Sequence, residues 1–204
     1  MFSTRNRIRS AVAVGAAVLT LLVAGCGSSM AGMDHGVTSS RNGPSSASAA
    51  RTDFNDTDVT FLQMMYPHHA QAVDMARLVA SRSQSQQLLT LASTVITAQG
   101  PEMQRISTLL QDFGKPAPTT GGHQMTDMPG MMPSADMTAL EGLSGPDFDR
   151  TWLRMMIDHH TGAITMANTE ITGGANPDAK ALAHDIVSAQ QAEIDQMRAI
   201  LGGR

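Results

Sequence analysis

Cysteine is almost absent from this chain: Cys26 is the only one in 204 residues. A lone thiol forms no disulfide within the chain and offers no thiolate cluster for a metal. Aromatic residues are scarce at 3%, with Trp and Tyr appearing once each. Neither charge sign dominates, since 14 Lys and Arg stand against 18 Asp and Glu for a formal net charge of -4. Signs are mixed along the chain, which leaves no electrostatic footprint for nucleic acid. The apolar run Ala11 to Ala24 falls short of the ~20 residues a membrane-spanning helix needs. Against these absences stand 16 methionines and 7 histidines. Any soft-metal chemistry in this chain therefore rests on thioether and imidazole.

The N-terminal region carries Arg5, Arg7 and Arg9 without an acid, then the short apolar run. That is the basic and apolar organisation of a secretory signal. Small residues lead from Val23 through Ala24 and Gly25 into Cys26, which resembles the lipobox of bacterial lipoproteins, where the cysteine becomes the acylated first residue. The expectation is a protein anchored by lipid at Cys26 on the extracytoplasmic face of the cell membrane. An ordinary signal peptide with an incidental cysteine is the alternative.

Ser, Gly and Ala dominate from Gly27 to about Thr52, a composition that cannot bury enough apolar surface to order itself and reads as a tether. A second irregular stretch, Gly114 to Gly145, holds Pro116, Pro118, Pro129 and Pro133. It reads as a long connection and not as an element. The resulting organisation is a signal peptide at 1–25, lipidated cysteine and tether at 26–55, a first helical hairpin at 56–113, a Met-rich connection at 114–145 and a second hairpin at 146–204, with 56–204 forming one domain.

Two blocks match at a constant offset of 91 residues without a gap. Asp58, Leu62, Met64, Met65, His68, His69, Ala72, Met75 and Ala76 correspond to Asp149, Leu153, Met155, Met156, His159, His160, Ala163, Met166 and Ala167. The register holds on through Leu91, Gln99, Glu102 and Leu110, matching Leu182, Gln190, Glu193 and Leu201. Steps of three and four set Phe61, Met65, His68, Ala72, Met75 and Val79 on one helical face, and Trp152, Met156, His159, Ala163, Met166 and Glu170 on its copy. The second helices give Leu91, Val95, Ala98, Glu102, Ile106 and Leu109, then Leu182, Ile186, Ala189, Glu193, Met197 and Ile200. Turns fall near Arg82 and Gly174, and Asn176-Pro177 is a helix start. The expected fold is all-α: a ferritin-like four-helix bundle of two tandem hairpins with a long crossover connection. Pro67 should kink the first helix just before His68.

His68 and His159 lie on the inward stripes, whereas His69 and His160 point about 100° away toward the helix flank. Met64 and Met155 precede the inward histidines by one turn, and Met65 and Met156 precede the flanking ones. Imidazole with thioether suits copper, Cu(I) in particular, and the equally soft Ag(I). Met75 and Met166 complete the candidate donor set, although each alone is better explained as core filling. Across the hairpins, Gln99 and Gln190 should stand level with His68 and His159. Glu102 and Glu193 should lie one turn further on, with the inward histidines as their nearest partners. Either these four orient the imidazoles for metal or they form a satisfied polar network. The connection adds His123, Met125, Met128, Met131, Met132 and Met137, and the tether Met30, Met33 and His35. Thioethers in such segments have no core to fill, so they are auxiliary candidates for capturing soft metal, with drift or loose docking onto the bundle as the alternative.

These residues carry a resemblance to a bacterial family, the domain of unknown function 305. Its pattern is matched by Asp58, Phe61, Met65-Tyr66-Pro67-His68-His69 and Ala72-Val73-Asp74-Met75-Ala76, and again by Asp149, Trp152, Met156-Ile157-Asp158-His159-His160 and Ala163-Ile164-Thr165-Met166-Ala167. The resemblance covers nearly all of residues 56–201. It implies a ferritin-like bundle, often exported, with some members linked to copper or silver binding and resistance. Asp158 replaces the Pro of the motif, which touches local backbone shape alone.

Three functions follow in order. The first is a non-enzymatic, surface-anchored binder of Cu(I) that buffers copper or passes it to or from a donor or acceptor protein. The second is a metal-free structural or partner-binding bundle of the envelope, with chain pairing left open. The third is a ferritin-like di-metal oxidase, which would use Glu-x-x-His motifs that neither histidine pair possesses. No nucleophile stands at usable spacing from a base.

Overall fold

The computed structural model describes residues 51–120 and 128–202. Cys26, the tether residues Met30, Met33 and His35, and the connection residues His123 and Met125 lie outside them. The described chain holds helices α1 (Asp56–Arg82), α2 (Gln86–Asp112), α3 (Ser134–Glu141), α4 (Gly145–Gly173) and α5 (Pro177–Leu201). No helix among the described residues is long and apolar enough to cross a membrane.

Local chemistry sets the helix ends. Asn55 caps α1 by accepting from the backbone N–H groups of Thr57 and Asp58, while the Asp58 carboxylate accepts from the Asn55 N–H at 2.6 Å, closing a capping box. The same carboxylate accepts from the Ala175 and Asn176 N–H groups at 3.1 and 2.8 Å. One buried side chain thus ties the start of α1 to the α4–α5 turn. Asn176 caps α5 through the Asp178 and Ala179 N–H groups, with Pro177 at the first helical position. α1 runs unbroken through Pro67, and α2 likewise through Pro101, so neither proline ends its helix.

α1 pairs with α2 and α4 with α5 as antiparallel hairpins, and the hairpins meet mainly along the α1/α4 seam. This is a four-helix bundle with one crossover connection. The Trp152 indole N–H crosses the seam to the Met75 carbonyl at 2.9 Å. Apolar packing falls into two clusters. One holds Met75, Val79, Leu91, Val95, Phe148, Trp152, Met156 and Met197; the other holds Phe61, Leu62, Met65, Ile106, Leu110, Met166, Leu182 and Ile186. Each long helix contributes to both clusters and passes from one to the other at its His or Gln/Glu positions.

The connection departs from the sequence expectation. It contains α3, whose Leu140 is fully buried, and it folds back on the bundle so that Met128 and Met131 are buried. Met132 and Met137 pack against the first cluster. Composition misses this because a Pro- and Gly-rich segment borrows its core from helices distant in sequence. Met132 and Met137 do have apolar space to fill, and docking onto the bundle buries Met128 and Met131. The second-helix stripes also shift by one residue: Ala98 is half-buried and Ala189 exposed, while Gln99 and Gln190 are buried. A step of four from Val95 and from Ile186 keeps the inward face on the glutamine.

Candidate metal centre: a buried imidazole layer

Between the two apolar clusters lies a polar layer contributed by all four long helices. His68, His69, His159 and His160 are each 0% exposed. The His68 and His159 rings meet across the α1/α4 seam with centroids 3.7 Å apart, and His159 and His160 lie 6.3 Å apart. Gln99 and Gln190 are buried beside this layer on the hairpin partners.

Glu102 and Glu193 bind the other histidines from those expected. The His69 Nε2–H donates to the Glu102 carboxylate at 2.8 Å, and the His160 Nε2–H to Glu193 at 2.6 Å. A side chain 100° off the α1/α4 seam faces the hairpin partner, so what reads as a flank on an isolated helix is the α1–α2 or α4–α5 interface. The flanking histidines are therefore buried core groups and not an outer layer. Both glutamates reach them from nearer the surface, with side-chain exposures of 17% and 9%.

His68 has a different partner. Its Nε2–H donates to the Pro129 carbonyl oxygen at 3.1 Å. A carboxylate or carbonyl oxygen only accepts, so Nε2 carries a proton in His68, His69 and His160, leaving Nδ1 of each ring as the second nitrogen to account for. Those three Nδ1 atoms are buried without a hydrogen-bond partner, as are both ring nitrogens of His159 and both amide atoms of Gln99 and Gln190. Buried polar atoms normally find partners. The layer thus concentrates buried ring nitrogens and amide groups that no protein group pairs.

Electrostatics keeps the pair at the seam neutral. Burial, then the neighbouring imidazoles His69 and His160, pushes His68 down to about 3. Burial, then the surrounding imidazoles, holds His159 well below the usual histidine range. Neutral imidazole is the form that ligates metal.

The thioethers divide by position. Met65, Met75 and Met156 are fully buried within the apolar clusters and Met166 nearly so, whereas Met64 and Met155 are partly exposed. Among the described residues no three His, Cys, Asp or Glu side chains gather in a way that would alone hold an ion. Sequence reasoning missed Pro129, Gly162 and Gln71, which bring the connection onto the layer. Gly162 offered the one local signal, a glycine inside a strongly helical stretch.

Fold and layer together define a class: a helical bundle whose core is interrupted by paired histidines backed by Gln and Glu. The chain belongs to the DUF305 family, a domain of unknown function whose family model matches residues 58–201. Among solved structures, a DUF305 fragment from Deinococcus radiodurans is 33% identical with a TM-score of 0.68, covering 74% of this chain and 98% of that one. A candidate secreted DUF305 protein from Streptomyces coelicolor is 27% identical with a TM-score of 0.66, covering 72% and 93%. CopM in its Cu(I)-bound form is 32% identical with a TM-score of 0.62, covering 73% and 98%; CopM is also known in Cu(II)-bound, Ag-bound and apo forms. A curated relative, an uncharacterised protein of Acanthamoeba polyphaga mimivirus, is 43% identical over 56 residues, which span 28% of this chain and 37% of that protein.

Proposed function

We propose that this protein is a non-enzymatic binder of soft metal, Cu(I) foremost and Ag(I) as its chemical equivalent, held by lipid at Cys26 on the extracytoplasmic side of the membrane. The observation that carries the reading is the buried imidazole layer, in which His68, His69 and His160 have Nε2–H engaged and Nδ1 without a protein partner. Thioether sulfur is available one helical turn away at Met64, Met65, Met155 and Met156. Cu(I) is content with few, soft ligands, so imidazole and sulfur satisfy it where a carboxylate-dependent ion would go short. Likeness to CopM, which has copper-bound and silver-bound forms, supports the same cargo here, and likeness to the Streptomyces protein supports export.

The layer's chemistry suits buffering or transfer in mildly acidic surroundings. A thioether has no proton to lose, and burial removes proton competition at His68 and His159 down to pH values where an exposed imidazole would be charged. Glu102 and Glu193, by accepting the Nε2–H hydrogen bonds, orient their histidines with Nδ1 free of a protein partner.

A metal-free structural bundle is the second reading. The His69–Glu102 and His160–Glu193 bonds favour it, because each ties its hairpin together without needing an ion. Competition for reduced copper between the mature protein and a chromogenic chelator separates the two. A site tighter than micromolar that disappears when His68, His69, His159 and His160 are changed to Ala is the expected result. Absence of such a site, or its survival in that variant, sinks the metal reading.

A further inference from the structure

Residues 128–132 of the connection lie directly against the imidazole layer, and several contacts unrelated to composition hold them there. The Gln71 side chain grips the Met132 backbone in both directions, its amide N–H donating to the Met132 carbonyl at 2.9 Å and its oxygen accepting the Met132 N–H at 2.8 Å. Gly130, at φ 77°, lies so close to α4 that a Cβ on it would stand 2.7 Å from the His159 carbonyl oxygen. A Cβ on Gly162 would stand 2.0 Å from the Pro129 oxygen. Backbone meets backbone here only because both positions lack a side chain. Gln71 and Gly162 are 91 residues apart, the offset between the two blocks, so the segment uses the same register position of α1 and of α4.

What the segment covers is as specific as how it is held. Its Pro129 carbonyl accepts the His68 Nε2–H. Met128 and Met131 are buried, yet they belong to neither apolar cluster. A groove of about 400 Å³ between α1 and α4 is lined by Phe61, Met64, Met166 and Pro129 together with threonines of both helices, Asp56 and Glu170. Pro129 therefore borders a groove that holds two thioethers on one side and, through its carbonyl, an imidazole on the other.

We propose that residues 128–132 form a strap that seals the imidazole layer and fixes His68 as the Nε2–H tautomer, with Gly162 and Gln71 as positioning residues. We infer that a soft cation passes from the groove to the imidazoles only when this strap lifts. The sealing half stands on the geometry of the strap; the gating half rests on the soft-metal reading above.

Gly162→Ala and Gln71→Leu release the strap from opposite helices, and Gln71→Leu leaves the α4 backbone unaltered. In ¹⁵N-labelled mature protein, hydrogen exchange at the Met132 amide reports strap lifting in the wild type and Gly162→Ala, where Gln71 still accepts it, and exchange and tautomer at the His68 imidazole report the seal in all three proteins. Stopped-flow uptake of Ag(I) reports gating. Both variants are expected to accelerate imidazole exchange and Ag(I) uptake by about tenfold, the scale set by losing one or two net hydrogen bonds, with equilibrium affinity changing less. A merely structural strap would lower the melting temperature without moving either rate. Faster Met132 exchange with unchanged His68 exchange overturns the seal. Faster His68 exchange with unchanged Ag(I) uptake overturns the gate. If the wild type takes up no Ag(I), the soft-metal reading and the gate fall together, while the imidazole exchange still decides the seal.

Discussion

The His68 and His159 rings face one another across the α1/α4 seam, centroids 3.7 Å apart and planes inclined by 37°. Two unprotonated imidazoles tolerate that contact in a dry interior, whereas two imidazolium ions would not. The seam between the hairpins is thus built from groups whose charge state decides whether it holds.

The apo protein is expected to lose stability in acid. With His68 pushed down to about 3 and His159 also depressed, the unfolded chain takes up protons below about pH 6.5 that the native state refuses. The contribution of these two histidines should be intact above that value and fall as pH drops toward 3, by up to about 1.4 kcal/mol per pH unit for each such group. Urea denaturation of the wild type and of His159→Leu at several pH values checks this; equal slopes in the two proteins contradict it.

Glu170 works in the opposite direction. Burial, then the adjoining Asp58 carboxylate, pushes its carboxyl up to about 8, so the native state holds a proton that the unfolded chain releases near pH 4.5. Stability from this group is present below that value and is lost as pH rises toward 8. Glu170→Gln keeps the shape and removes the titration. Its melting temperature should depend less on pH between 5 and 8 than that of the wild type, and an unchanged dependence rules out Glu170 as its source.

Trp152→Ala should destabilise the bundle by about 3 to 5 kcal/mol, the cost of a large core cavity. The indole is fully buried on the seam and donates to the Met75 carbonyl. Trp152→Phe should cost less while still leaving that carbonyl without its partner. Chemical denaturation ranks the three proteins, and a near-neutral Ala variant would show that the seam is not packed as described.

Glu193→Ala removes the acceptor for the His160 Nε2–H at 2.6 Å. A buried donor left without a partner costs about 1 to 3 kcal/mol, and metal affinity should fall about 10- to 100-fold as the imidazole loses its orientation. Denaturation and chelator competition measure the two losses separately. A drop in stability with no drop in affinity assigns Glu193 to the fold alone.

Ag(I) or Cu(I) at about a hundred times its dissociation constant should stabilise the wild type by about 2.7 kcal/mol, seen as a higher melting temperature. The variant with all four buried histidines changed to Ala should show no such shift. Equal shifts in both proteins place the metal elsewhere.

Legibility in the sequence followed the range of the forces involved. Helix stripes, caps and the duplicated Met/His motif are short-range regularities, and the Phe61–Val79 and Trp152–Glu170 faces are buried as their spacing demands. Glu102 and Glu193 stood out as acids on apolar stripes, but their partners depended on which side of α1 and α4 the neighbouring helices occupy. The burial of Met128 and Met131 was illegible because it depends on Gly162 and Gln71, remote in sequence, accepting the strap.

The sequence alone determined the four long helices, their pairing into hairpins and the four histidines at the midpoints of α1 and α4, because helical periodicity and capping act within a few residues. Only the tertiary structure decided that all four histidines are buried, that His69 and His160 take the glutamates, and that a proline carbonyl from the connection holds His68. Those choices are made where separate helices meet: the angle between α1 and its neighbours turns a flank into an interface, and two missing Cβ atoms let one backbone lie against another.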